Sequence, residues 1–248
     1  MIVLNYAEHS KAILDNGFGK FPNTRDMLIV AQYLSKNGYK DEEISDKLYN
    51  LCEKKDKNFK IKLWEKKNNL VLKKLKKPLK ELKTEINFSK NEIESIKSIK
   101  LYEVQKIYFV LMSICKTYGI HTIYLNSQSP FKLKDILAIA RVNWSTRKAE
   151  NGLHDLYASG LVDVSPNLEY KITGLDGDEN GDTILTVCPS VDMVEDFDIF
   201  LKKAVRCACC GGYTKKNSNN TKYCPACAKE IKKQKDIARM RVLSKVEK

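Results

Sequence analysis

Four cysteines near the end of the chain constrain its fold more than any other feature of the sequence. They form two Cys-x2-Cys pairs, Cys207 with Cys210 and Cys224 with Cys227, separated by 13 residues. This spacing is typical of two knuckles that place four thiolates tetrahedrally around one metal ion. We therefore predict a structural Zn²⁺ site with one ion per chain, and these four cysteines as its ligands.

Two details of this segment leave alternatives open. Cys209 makes the first knuckle Cys-x-Cys-Cys, so a swapped ligand is conceivable, and four thiolates also suit an iron–sulfur cluster. Because protein ligands would fill every position of a tetrahedral ion, we expect no catalytic water at the metal. The segment resembles the zinc ribbons of many bacterial and phage proteins, in which the metal replaces the core that about 30 residues cannot build.

The charge of the chain is strongly uneven. The net charge is +13, yet residues 54–83 carry 13 lysines and three acids, and residues 202–248 carry 14 basic residues and three acids. Residues 176–198, by contrast, carry eight acids and no base. Two basic blocks indicate a polyanionic partner, most simply DNA. The alternative is that these lysines only form the solvated faces of ordinary helices.

Apolar periodicity predicts a mostly α chain with small β-structure, an α+β fold. We expect a helical N-terminal region at 1–86, a winged-helix-like domain at 87–190, an acidic linker at 191–206, and a zinc ribbon with a basic C-terminal helix at 207–248. Ser89 and Glu92 form a capping-box pattern at the start of the second region. Further helices are predicted at Asn5–Asn16, Thr24–Asn37 and Asp41–Cys52, with a leucine stripe at Leu72, Leu75, Leu79 and Leu82 that Pro78 should interrupt.

The middle of the chain has the pattern of two helices joined by a short turn, at 132–140 and 146–159. The second of them should bury Ala149, Leu153, Leu156 and Tyr157. Its other face would then expose Arg147, Lys148, Asn151 and His154. Side chains of these types at the start of a helix can contact base edges in the major groove.

Three predicted strands follow, at Leu161–Val164, Tyr170–Thr173 and Thr183–Val187. With the two helices they make residues 101–189 similar to a winged helix-turn-helix domain. The resemblance implies DNA binding through Arg147, Lys148, Asn151 and His154. The acidic segment GLDGDENGD, expected at the tip of the hairpin, departs from a DNA-binding wing because phosphates would repel it.

Basic residues also dominate the end of the chain, where a final helix is expected. We predict that this helix contacts DNA phosphates through Lys232, Lys233, Arg239 and Arg241. Near the other end, TRDMLIVAQYLSKNGYKDEEISDKLYNLCEK is similar to a small helical module at the C-terminus of some phage and plasmid primases. The arrangement as a whole resembles uncharacterised phage and prophage DNA-binding proteins of low-GC bacteria.

The sequence also argues against several function classes. It contains no Walker A motif, no Rossmann glycine pattern and no HExxH motif, and its three histidines are isolated from one another, so we do not expect an enzyme. The run Ile107–Cys115 is too short to cross a bilayer, and no signal peptide is evident, so we expect a cytoplasmic protein with no membrane partner.

Three functional hypotheses follow from these patterns. The first is a sequence-specific DNA-binding protein, a phage or prophage transcription regulator. The second is a phage replication accessory, such as an initiator or a helicase-loading partner. The third is a protein-interaction factor that captures a host enzyme. Host RNA polymerase or replication proteins are the expected protein partners in addition to DNA.

Overall fold

The chain is an α+β protein with small antiparallel sheets, as the sequence predicts. The computed structural model describes residues 2–18, 22–53, 60–77, 79–125, 129–175 and 182–246, with side chains through residue 239. The helices are α1 Tyr6–Asn16, α2 Thr24–Lys36, α3 Asp41–Glu53, α4 Ile61–Leu75, α5 Lys90–Ser98, α6 Tyr102–Tyr118, α7 Leu133–Ile139, α8 Thr146–Ala158, α9 Met193–Phe200 and α10 Pro225–Val246. The strands are β1 Ile86–Ser89, β2 Thr122–Tyr124, β3 Val162–Val164, β4 Glu169–Ile172, β5 Thr183–Val187, β6 Ala204–Arg206 and β7 Tyr213–Lys215.

Helices α1 to α4 share a hydrophobic core of their own. Met27, Val30 and Ala31 of α2 are fully buried there with Ile44 and Leu48 of α3. Helices α1, α2 and α3 lie where the apolar periodicity predicts them, to within one residue at each end. Helix α2 is capped by Asn23, whose side chain accepts the backbone N–H of Asp26.

The leucine stripe of the basic segment 54–83 is interrupted near Pro78, as predicted: Leu72 and Leu75 lie in α4, whereas Leu79 and Leu82 lie outside any helix. Helix α4 ends at Leu75, before Pro78, which lies outside the described residues. Its most buried positions are Asn68 and Val71, and the Asn68 amide donates to Ser45 Oγ at 2.8 Å. The opposite face exposes Lys62, Lys66, Lys73 and Lys74.

The main core is built around α6, which is buried along most of its length. Its Phe109 ring stacks between Phe88 and Phe197, with ring centroids 4.9 Å and 4.3 Å away. The predicted capping box at the start of α5 is confirmed: Ser89 and Glu92 exchange side-chain and backbone hydrogen bonds.

Residues 191–206, predicted as an acidic linker, instead contain a core helix. Within α9, Met193, Val194 and Phe197 are fully buried against the main core. Charge alone suggested a solvated segment, but Glu195 and Asp198 are buried in hydrogen-bonded pairs with residues distant in sequence. A buried carboxylate is tolerated when it is paired in this way.

The strands of the middle region pair differently from the expected continuous hairpin. A three-stranded antiparallel sheet has the order β2-β4-β3, whereas β5 leaves it and pairs with β1. The β3–β4 hairpin therefore turns through Ser165–Leu168, where the Leu168 N–H donates to the Ser165 carbonyl at 3.0 Å. The acidic tip is not part of that hairpin, and its residues 176–181 lie outside the described part of the chain.

None of the helices in the described part of the chain combines the length and the apolar character needed to cross a bilayer.

Candidate metal centre and nucleic-acid interface

The four predicted ligand cysteines converge at the β6–β7 hairpin. Cys207 and Cys210 lie between β6 and β7, and Cys224 and Cys227 follow β7. Their Sγ atoms all lie within 4.8 Å of one another, and those of Cys210 and Cys224 are 3.9 Å apart. A tetrahedral ion with metal–sulfur bonds of about 2.3 Å needs sulfur separations of roughly 3.8 Å. The arrangement could therefore coordinate one metal ion.

Local backbone geometry positions the two knuckles. The Cys207 N–H donates to the Gly212 carbonyl at 2.8 Å, and Gly211 takes φ +70°, a conformation that favours glycine. From the second knuckle, the N–H of Cys224 donates to the Cys207 sulfur at 3.2 Å. Helix α10 begins at Pro225, within the second knuckle, so the positive N-terminal end of the helix lies beside the cysteine cluster.

Hydrogen bonds within the cluster shift the acidity of its thiols. The backbone N–H groups of Cys224, Cys210 and Cys209 donate to Cys207 and lower the pKa of its thiol to about 6. The neighbouring sulfurs of Cys224 and Cys210 raise the pKa of Cys227. Thiolate is the form that binds metal, and these N–H groups favour that form at Cys207.

The other cysteines are separate from this ligand set. Cys209 is exposed and is not one of the four converging sulfurs. Cys52 is buried in the N-terminal core, and Cys115 in the main core, where burial raises the pKa of its thiol to about 12. Both are therefore small core residues, as the sequence indicates.

Polar contacts attach the β6–β7 hairpin, which carries the candidate metal site and is called the metal hairpin below, to α9. Arg206 of β6 forms ion pairs with Glu195 at 2.8 Å and with Asp196 at 3.0 Å. The Tyr213 hydroxyl of β7 donates to Asp198 at 2.5 Å, and Tyr102 of α6 donates to the same carboxylate. Burial and these hydrogen bonds raise the pKa of both phenols, which keeps them protonated donors.

Helix α8 presents the side chains proposed to contact DNA. Ser145 caps it by accepting the Lys148 N–H, and Ala149, Leu153 and Leu156 face the core. The fourth predicted core residue, Tyr157, is instead 50% exposed, because it lies at the edge of the buried stripe. The four predicted contact residues are all exposed: Arg147, Lys148, Asn151 and His154.

Lys148 differs from the other three contact candidates. Its Nζ lies 4.6 Å from the centre of the Trp144 ring, so a cation–π contact holds it at the side of the helix. Arg147, Asn151 and His154 are spaced at i, i+4 and i+7 and form the outward stripe opposite the core. The close packing behind them involves Gly152, where a Cβ would lie 3.2 Å from both Trp144 and Val104.

Helix α10 carries the other predicted contacts. Lys232, Lys233 and Arg239 are exposed along it, whereas the side chain of Arg241 lies outside the described residues. Ile237 of the same helix is 44% exposed.

The sequence did not predict which residues hold the metal hairpin to the rest of the molecule. The main ones are Arg141, Glu195, Asp198 and Tyr213. A run of acids at 192–198 was visible, but its partners lie up to 96 residues away in the sequence. A local signal of a buried helix was present, because these acids alternate with the apolar residues Met193, Val194 and Phe197.

Comparisons with family models, with curated proteins and with solved structures found no match.

Proposed function

We propose that Cys207, Cys210, Cys224 and Cys227 bind one structural Zn²⁺. The four converging sulfurs support this proposal. Zinc suits four thiolates in tetrahedral geometry, and with every position filled by protein it would serve folding, not catalysis. Bound metal would stabilise a hairpin too small to have a hydrophobic core.

Elemental analysis tests this assignment. Protein purified without added metal should contain close to one equivalent of zinc, and Cys224→Ser should lose it. Cys52→Ser, a cysteine variant in the N-terminal core, should keep it. Iron in place of zinc would contradict the metal assignment, and full zinc retention by Cys224→Ser would contradict the ligand set.

We propose that the chain is a sequence-specific DNA-binding protein, a phage or prophage transcription regulator. The observation that carries this proposal is the outward stripe Arg147, Asn151 and His154 on α8, whose opposite face packs on the core. Arginine and asparagine make bidentate hydrogen bonds to guanine and adenine in the major groove. A helix exposed in this way can enter that groove.

The order of elements supports a winged helix-turn-helix. Helices α6, α7 and α8 are interrupted by β2 and followed by the β3–β4 hairpin, with the sheet order β2-β4-β3. The hairpin turn Ser165–Leu168 carries no charged residue, so the acidic segment is no longer an argument against a DNA-facing wing. Exposed basic residues on α10 would add phosphate contacts that do not depend on sequence.

A selection experiment with random duplex DNA, followed by affinity measurement, tests this function. Arg147→Ala and Asn151→Ala should each weaken binding to the selected site by about 1–3 kcal/mol and relax preference at one position. Lys11→Ala removes an exposed charge from α1 and serves as the control. Selection of no site, together with equal losses on all duplexes, would contradict sequence-specific recognition.

A second candidate function is a replication accessory. It is favoured by the separate helical core of α1–α4, with its exposed lysines on α4, which the winged helix does not require. Preference for single-stranded or forked DNA over every duplex would select this function. Capture of a host protein without any DNA binding would select the protein-interaction hypothesis instead.

A further inference from the structure

We propose that Arg141 couples the metal centre to helix α8, so that metal binding at the four cysteines holds α8 in its DNA-binding position. The proposed metal site and DNA-binding function underlie this inference. It adds a regulatory link between two regions that the sequence places in different modules.

Arg141 lies in the turn between α7 and α8. It takes φ +52°, a left-handed conformation that is unfavourable for any residue other than glycine. The turn is fixed on the core side, because the Lys106 ammonium donates to the Arg141 carbonyl at 3.2 Å. Leu168 and Lys202 also take positive φ values, so the role of Arg141 is assigned from the contacts of its side chain.

The Arg141 side chain reaches out of the turn to α9. Its Nη2 atom lies 2.7 Å from Asp192 and 2.6 Å from Glu195. Glu195 is only 11% exposed and also binds Arg206 of β6 at 2.8 Å. The carboxylate of Glu195 thus bridges the turn before α8 and the metal hairpin.

A second contact joins Arg141 directly to that hairpin. The guanidinium carbon lies 5.2 Å from the centre of the Tyr213 ring, within the range of a cation–π contact. Tyr213 follows Gly212, whose carbonyl accepts the N–H of the ligand Cys207 at 2.8 Å. A short path of contacts therefore connects the cysteine cluster to the turn that orients α8.

This path predicts that loss of metal reaches α8. Without metal, the β6–β7 hairpin and its cysteine loops would be held only by their contacts with α9, because they have no hydrophobic core of their own. A loosened hairpin would remove the Tyr213 ring from Arg141 and separate Arg206 from Glu195, the carboxylate that both arginines share. Couplings between sites of this kind typically change affinity by 5–150-fold, so we expect metal removal to weaken DNA binding by about tenfold.

Trp144 offers a readout of this coupling that does not require DNA. It is half-buried three residues after Arg141, and its ring contacts Lys148 of α8. The variant Trp64→Phe leaves it as the sole tryptophan, since the chain has two. In this background, chelation of the metal should shift the emission of Trp144, and added Zn²⁺ should restore it.

Arg141→Gly is the decisive variant, because glycine accepts the left-handed turn while the guanidinium is lost. Chelation should then leave Trp144 emission unchanged and weaken DNA binding by less than about twofold. Lys202→Gly is the matched control: it removes an exposed cation from another left-handed position, φ +58°, and should keep the full coupling. Circular dichroism checks that each variant is folded. If the glycine variant does not fold, Arg141→Lys replaces it and should reduce the coupling, because an ammonium lacks the planar fork.

The outcomes separate this inference from the proposed function. A metal-dependent Trp144 signal that Arg141→Gly abolishes supports the coupling even if no DNA site is found, in which case only the proposed function fails. Full metal dependence in Arg141→Gly, or a Trp144 signal in wild type that does not respond to chelation, overturns the coupling. If DNA binds, linkage requires it to raise Zn²⁺ affinity by the same factor that the metal raises DNA affinity.

Discussion

The buried ion pair between Glu92 and Lys116 shows how single residues stabilise the main core. Their side chains are 0% and 6% exposed and lie 2.8 Å apart. Glu92 also accepts the backbone N–H of Ser89 in the capping box, so one carboxylate serves both a helix start and a buried cation. Removing one partner of such a pair leaves the other charge buried without compensation.

We expect Glu92→Ala to lower the free energy of unfolding by about 3–5 kcal/mol, because Lys116 would stay buried without its counter-charge. Urea unfolding followed by circular dichroism measures the change. Glu94→Ala is the control on the same helix: its pair with Lys90 spans 3.9 Å and is largely exposed, so it should cost less than about 1 kcal/mol. Equal effects of the two variants would contradict the role assigned to Glu92.

At the scale of elements, α9 has the largest effect on the architecture. Its apolar side joins the main core, and its acidic side receives Arg141, Arg206 and Tyr213. The acids of this helix therefore hold the metal hairpin in place. Neutralising Glu195 and Asp198 should therefore loosen that attachment.

We expect Phe197→Ala to cost about 3–5 kcal/mol of stability, because this fully buried ring stacks on Phe109 and its removal leaves a cavity. Thermal or urea unfolding tests the value. Val191→Ala, two residues before α9 and 61% exposed, should change stability by less than about 0.5 kcal/mol. A similarly small effect of Phe197→Ala would mean that residues 191–206 are a linker after all.

For the whole molecule, the basic residues are distributed over separate surfaces. Those of α4 lie on the N-terminal bundle and those of α10 on the helix that follows the metal cluster. If both surfaces contact DNA, binding must weaken steeply with salt, because each neutralised phosphate contributes about −0.9 to the log–log slope. The slope therefore counts contacts on each surface separately.

Changing Lys232, Lys233 and Arg239 together to glutamine should flatten the salt slope by roughly 2.7 if each contacts one phosphate. The same change at Lys62, Lys66 and Lys73 tests the α4 surface in the same way. Fluorescence anisotropy between about 50 and 200 mM salt gives the slopes. A triple glutamine variant at Lys11, Lys40 and Lys90, which are exposed outside both surfaces, should keep the wild-type slope. A slope near zero in the wild type would exclude both contact surfaces.

The sequence by itself determined the features that depend on short spacing. Two Cys-x2-Cys pairs predicted which four sulfurs converge, and helical periodicity predicted that Arg147, Asn151 and His154 face outward on α8. Ser89 and Glu92 predicted the start of α5 for the same reason. Such features depend only on the local geometry of residues that are close together in the sequence.

Only the tertiary structure decided which distant segments meet. The β5 strand pairs with β1 across about 100 residues instead of extending the nearby hairpin. Glu195 is buried where Arg141 and Arg206 reach it, and Asp198 is buried where the hydroxyls of Tyr102 and Tyr213 donate to it. Partners of this kind are selected by the packing of the whole core and leave no spacing in the sequence.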